Sequence, residues 1–127
     1  MKQIIYKDYT DLSVKTAEQI ALIIAKKPGA LLCFPAGETS IGTFKHLIAL
    51  NKTGKISFKK CRIVGLDEWA HLGAMKSENC FSFLKKHFFD HIDYSPENLC
   101  FLTVSLLISK RSALKLMNLL KNMDRSI

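Results

Sequence analysis

The sequence lacks the features that would assign it to several large classes. Met1–Asp8 contains no apolar run of signal-peptide length, and no segment approaches the roughly 18 consecutive apolar residues that a membrane span requires. A soluble cytoplasmic protein with no membrane partner is therefore expected. Cys33, Cys61, Cys80 and Cys100 are scattered without a CxxC pair, which suits reduced, buried thiols better than a zinc site or a disulfide framework. There is no GxGxxG and no P-loop, so a dinucleotide or a nucleoside triphosphate is not the expected ligand. The only paired histidines, His87 and His91, lack the glutamate of HExxH, the intervening residues being Phe88-Phe89-Asp90, and a surface or helix-end role is expected for them rather than metal binding. His46 and His71 carry no assignment beyond the proximity of His71 to the acidic pair described below. No internal repeat or low-complexity linker interrupts the chain.

What is present is one domain's worth of sequence, 127 residues, with a formal net charge of +8. The charge is unevenly placed. Residues 1–100 hold 14 Lys/Arg against 10 Asp/Glu and residues 101–127 hold 5 against 1, so half the excess lies in the last fifth. Without an interleaved aromatic stripe or a helix-turn-helix or RRM signature, no nucleic-acid partner is expected. A basic surface would still steer an anionic substrate such as a sugar phosphate.

The hydrophobic pattern alternates between two periods. Ile4-Ile5-Tyr6 reads as a short strand, and about Asp11 to Lys26 as a helix with Val14, Ala17, Ile20, Ala21 and Ile24 on its apolar face. Pro28-Gly29 ends that helix, and Ala30–Phe34 is an apolar run of buried-strand length. A second helix carries Ile41, Phe44, Leu47 and Ile48. The strand Cys61–Leu66 follows, then a loop over Ala70–Lys76. A third helix is opened by Ser77 with Glu78 in its first turn and carries Phe81, Leu84, Phe88 and Ile92; Leu99–Leu102 is a further strand. This β-α-β-α-β-α-β alternation predicts an α/β domain with a mostly parallel sheet and helices on both faces.

Two strand ends carry the candidate chemistry. The strand Cys61–Leu66 stops at Asp67-Glu68-Trp69, and in an open α/β sheet ligands bind outside the carboxyl ends of the strands, where acids face substrate. Asp67 would serve equally well to cap a turn beside a solvated Glu68. The other end is the turn Pro35-Ala36-Gly37-Glu38-Thr39-Ser40, which joins a strand to a helix and so offers backbone N–H groups and a helix N-terminus to an anion. Gly37 would allow close backbone approach, and Thr39 and Ser40 supply hydroxyls that would also serve as helix caps.

These motifs, in this order, resemble the glucosamine/galactosamine-6-phosphate isomerase (deaminase) family over about residues 1–101. Val64-Gly65-Leu66-Asp67-Glu68-Trp69 is similar to the family's strand ending in Asp-Glu-aromatic, and Pro35–Ser40 to its Gly-Gly-Thr-Pro or Gly-Asp-Thr-Pro phosphate loop. Phe88-Phe89-Asp90-His91 and Pro96-Glu97-Asn98 resemble weaker signatures. The resemblance implies a three-layer Rossmann-like fold, here a partial domain. It also implies a reaction that opens an aminosugar 6-phosphate, moves a proton between C2 and C1, and releases ammonia to leave a ketose 6-phosphate. On that basis Asp67 is the base for the C2 proton, provided partial burial raises its pKa, and Glu68 is a supporting acid. Ala36, Gly37, Glu38, Thr39 and Ser40 hold sugar or phosphate, and no cofactor or metal is implied. The related 6-phosphogluconolactonases usually carry arginine after the acidic pair, so Trp69 favours the aminosugar branch. A non-catalytic sugar-phosphate-binding module and a lactonase-like hydrolase are the competing readings.

The sequence departs from the family after about residue 101. The family continues with Asp-Gly-His and Asn-Glu-Pro segments that have no counterpart here, and a base without its partners retains little activity. Residues 102–127 carry the charge shift and only a loose leucine pattern. Reading the third base of each codon with the first two of the next forces Glu at Met117-Asn118 and Tyr or His then Gly at Asn122-Met123-Asp124; it permits Asp-Gly at Leu102-Thr103-Val104 and Glu-Cys at Arg111-Ser112-Ala113. The expectation is a family member truncated by a frameshift, inactive by itself and, with a sheet edge uncovered, prone to self-association.

Overall fold

The computed structural model describes residues 3–68 and 79–101, together with Leu114, Met117, Asn118 and Lys121. Its first element is helix α1, Tyr9–Lys26. The helix starts two residues earlier than its apolar period implies because Asp8 is its N-cap, the carboxylate accepting from the Asp11 N–H at 2.9 Å. Strand β1, Leu31–Phe34, leads through a 3₁₀ turn at Glu38–Ser40 into helix α2, Ile41–Lys52. Strand β2 is Arg62–Gly65, helix α3 is Cys80–His87, and strand β3 is Leu99–Cys100, preceded by single 3₁₀ turns at Phe89–His91 and Pro96–Asn98.

The strand expected at Ile4-Ile5-Tyr6 does not form. Those residues lie outside any sheet, with Ile5 85% exposed, because a three-residue run needs a neighbouring strand to hold its hydrogen bonds and the described residues supply none there. The third helix also differs from its expected course. Ser77 and Glu78 lie outside the described residues, Asn79 caps α3 by accepting from the Ser82 N–H at 2.7 Å, and the helix stops at His87 rather than running to Ile92. That stop turns the consecutive Phe88 and Phe89 both inward, which a continuing helix would not allow.

The three strands are parallel in the order β1-β2-β3, as the alternation of elements predicts. Leu32 pairs with Ile63, Phe34 with Gly65, and Val64 with Cys100. Leu32, Phe34 and Ile63 are buried on one face, whereas Leu31, Arg62 and Val64 are half-buried and Cys33 is exposed on the other. The buried face meets a phenylalanine cluster. Phe44 of α2 stacks on Phe88 with ring centroids 4.7 Å apart, and Phe34 and Phe58 meet Phe88 edge-on at 4.9 and 5.5 Å. Burying one such side chain contributes about 1.5–3 kcal/mol, and each well-oriented ring pair adds about 0.5–1.5 kcal/mol.

A polar knot closes the domain beside this cluster. The Asp93 carboxylate accepts from Ser57 Oγ at 2.6 Å, the Phe58 N–H at 2.8 Å and Asn51 Nδ2 at 2.5 Å, while Asn51 Oδ1 accepts from the Asp93 N–H at 3.2 Å. Burial acts to raise the pKa of Asp93, but these hydrogen bonds outweigh it and hold the group below the ordinary aspartate value. No helix among the described residues is long and apolar enough to cross a membrane. The expected division at residue 101 cannot be followed further, since residues 102–127 lie outside the described residues except for the four named above, all of which are exposed.

Candidate active site

Parallel register brings the two singled-out segments to the same edge of the sheet. Phe34 and Gly65 are partners at the carboxyl ends of β1 and β2, and the Leu66 N–H donates to the Phe34 carbonyl at 3.0 Å. The turn that begins at Pro35 and the acids that begin at Asp67 therefore leave neighbouring strands side by side, where an open α/β sheet binds ligands.

The turn after β1 owes its shape to Gly37, whose φ of +132° is a conformation that L side chains rarely adopt. A Cβ there would meet nothing within 4 Å, so the glycine is needed for backbone geometry and not for clearance from the protein. The Ser40 N–H donates to the Gly37 carbonyl at 3.2 Å, and that of Ile41 to the Glu38 carbonyl. The amides of Gly37, Glu38 and Thr39 come before these bonds, in the first turn, whose donors have no partner within the helix. Neither Thr39 nor Ser40 caps α2 with its side chain, so the simple capping role is not the one these hydroxyls take. Thr39 and Ser40 instead line a cleft of about 350 Å³ with Cys33, Pro35, Ser13 and Thr16. Asp67 and Glu68 do not line this cleft.

At the end of β2 the strand packs tightly. A Cβ on Gly65 would lie 1.9 Å from the ring of Phe101, so only glycine lets that ring cross the strand end. Asp67, two residues on, is exposed, and no hydrogen bond or ion pair to it forms among the described residues. The burial expected of it is not supplied by these residues. Its charge does reach Cys33, whose thiol pKa is raised by desolvation first and by Asp67 second. Glu68 is half-buried and differently engaged: its two carboxylate oxygens accept from the N–H groups of Cys80 at 2.9 Å and Phe81 at 3.1 Å, at the start of α3. Trp69, His71 and the loop to Lys76 lie outside the described residues.

The histidine pair is not brought to a common ligand. The His87 ring packs on Phe83 at 4.5 Å, and His91 Nε2 lies 3.0 Å from the Lys86 carbonyl beyond the end of α3. No group of three or more His, Cys, Asp or Glu suited to a metal ion occurs among the described residues. One residue near the site had no signal in the sequence. The Tyr9 hydroxyl reaches the turn from α1, lying 3.1 Å from the Thr39 carbonyl and 2.9 Å from the Gly42 nitrogen.

No protein-family model matches the chain. Among curated proteins it is 38% identical over 104 residues to a glucosamine-6-phosphate deaminase of Borreliella afzelii, an alignment covering 78% of this chain and 39% of that one. It is 37% identical over 102 residues to the enzyme of the same name from Bacillus pumilus, covering 80% and 42%. Among solved structures, a monomeric glucosamine-6-phosphate deaminase superposes with a TM-score of 0.78 at 28% identity, covering 98% of this chain and 51% of the other. A 6-phosphogluconolactonase from Plasmodium vivax gives a TM-score of 0.73 at 21% identity and shares the fold. The chain spans about two fifths of the length of the curated relatives it matches.

Proposed function

From its similarity to glucosamine-6-phosphate deaminases over about four fifths of its length, we propose that the chain belongs to that family and that its sheet edge forms the substrate-holding and proton-abstracting part of an aminosugar-phosphate isomerase/deaminase site. In this reading the turn Ala36–Ser40 takes the phosphate through backbone N–H groups and the Thr39 and Ser40 hydroxyls. Asp67, exposed and without a competing partner among the described residues, takes the C2 proton of the ring-opened sugar. Glu68 supports it. The observation that carries the proposal is the Phe34–Gly65 register, which sets the turn and the acid on adjacent strand ends. No metal or cofactor has a part in the scheme. The partner is an aminosugar 6-phosphate, the setting the cytoplasm, and self-association through a sheet edge left unpaired among the described residues belongs to the same proposal; a nucleic acid or a membrane does not.

Because the sequence carries no Asp-Gly-His or Asn-Glu-Pro, we propose that this chain alone binds its substrate with little turnover. Calorimetric titration with glucosamine 6-phosphate, run beside an assay for released ammonia, tests this. Binding with little or no ammonia is the expected result. Rapid ammonia release would show that the chain needs no further segment, and absence of both would reject the sugar-phosphate reading. The out-of-frame reading of residues 102–127 is tested by the nucleotide sequence from codon 95 onward. A second frame encoding Asp-Gly and later Gly-His and Asn-Glu-Pro supports it, and three frames without them reject it.

A further inference from the structure

Helix α1 and the turn after β1 are far apart in sequence, yet they are joined by a single side chain. The Tyr9 hydroxyl accepts from the Gly42 N–H at 2.9 Å and has the carbonyls of Thr39 and Glu38 at 3.1 and 3.3 Å, so its one proton goes to either of them. Accepting from Gly42 satisfies one of the donors that a helix start leaves without an internal partner, and donating to Thr39 or Glu38 ties down the strand-to-helix turn itself. The backbone is shaped to admit this contact. A Cβ at position 42 would lie 2.8 Å from the Tyr9 oxygen and 2.3 Å from Ser13 Oγ, so the approach of α1 to the turn depends on glycine there. Ser13 in turn donates to the Tyr9 carbonyl at 2.8 Å, which fixes the first turn of α1 on which the tyrosine stands.

We propose that Tyr9 is a positioning residue for the anion site: its hydroxyl latches the segment Glu38–Gly42 onto α1, and so holds the N–H groups of Gly37, Glu38 and Thr39 in the array that receives a phosphate. The inference rests on the reading of that turn as a phosphate site. With the Gly42 amide occupied by Tyr9 and those of Ser40 and Ile41 turned back on the Gly37 and Glu38 carbonyls, the latch also decides which donors remain for the ligand. Tyr9 touches no substrate atom in this scheme; it acts through the turn.

The test uses the full chain, its Tyr9→Phe variant and a Glu18→Gln variant, which breaks the exposed Lys15–Glu18 ion pair of the same helix and has no bond to the turn among the described residues. Amide hydrogen exchange is followed at Gly42, and inorganic phosphate and then glucosamine 6-phosphate are titrated by amide chemical shift. For Tyr9→Phe the expected result is faster exchange at Gly42 and about fivefold to tenfold weaker phosphate binding, the range that losing one hydrogen bond produces. Glu18→Gln should keep its phosphate affinity, and unphosphorylated glucosamine should not distinguish the three proteins. Equal phosphate affinity in the wild type and Tyr9→Phe, or an equal loss in Glu18→Gln, overturns the positioning role while leaving the phosphate reading intact. A wild type that shifts with neither phosphate nor sugar phosphate overturns the phosphate reading, and with it the role assigned to Tyr9.

Discussion

Asp93 and Asp67 are two aspartates in the same small domain with opposite surroundings. Asp93 is met by a hydroxyl, a backbone amide and a carboxamide, and in return fixes Asn51, Ser57 and Phe58 beside the aromatic core. Asp67 stands exposed at the end of β2, with no hydrogen bond to it among the described residues. A carboxylate whose acceptor sites are filled by the fold contributes to stability, and one left open contributes reactivity toward something else. The contrast separates the half of the molecule that holds its shape from the edge that remains available.

Substitution at Asp93 is the strongest way to sharpen this comparison. Asp93→Ala leaves three donors without their acceptor and should cost about 3 kcal/mol, read by urea denaturation. Next comes Gly65→Ala, in which the added methyl meets the Phe101 ring; the β2–β3 pair must shift, at about 1–3 kcal/mol by the same measurement. Acid titration provides a third, smaller effect. The folded pKa of Asp93 lies below its unfolded value of 3.8, so its contribution is present above that value and is lost as pH falls through the folded pKa. The wild type should therefore lose stability below about pH 4 more steeply than Asp93→Asn does. At the bottom of the scale, Asp67→Asn should change stability by less than about 0.5 kcal/mol, as for an ordinary surface site. It should nonetheless abolish any exchange of the C2 proton of glucosamine 6-phosphate into deuterated water that the wild type supports. A large destabilisation by Asp67→Asn would remove the distinction between the two aspartates.

The same contrast explains what could be read in the sequence. Helix α1 was legible because Ala17, Ile20, Ala21 and Ile24 recur at helical spacing, and β1 and β2 because apolar runs end at turn residues. The parallel order followed from the alternation of elements. Asp8 as a cap was visible in principle, as an aspartate just before the periodic segment with Asp11 three residues on. Ile4-Ile5-Tyr6 misled because strand character is realised only beside another strand. The third helix misled because Phe88 satisfies a helical period even though the helix ends before it and the ring is buried from a non-helical backbone. At the site, the acid pair and the glycine turn were found from their places at strand ends, and parallel pairing joined them. Tyr9 was out of reach of such reasoning, since its partners lie 29 to 33 residues away and nothing local marks a tyrosine as a latch. Glu68 was expected only as an acid. Its hold on the start of α3 spans 12 residues and depends on where α3 begins, which Asn79 decides.

Cys33 turns the open aspartate into something that can be watched. Its thiol is exposed on β1, and its pKa is raised by partial desolvation first and by the charge of Asp67 second, both of which disfavour the reactive thiolate. Cys61, in contrast, is buried with its pKa pushed up to about 11, and takes little part in reactions at neutral pH. Neutralising Asp67 removes the second of the causes acting on Cys33, so an alkylating reagent should consume Cys33 faster in Asp67→Asn than in the wild type. The thiol thus offers a chemical readout, on the neighbouring strand, of the residue proposed to do the chemistry.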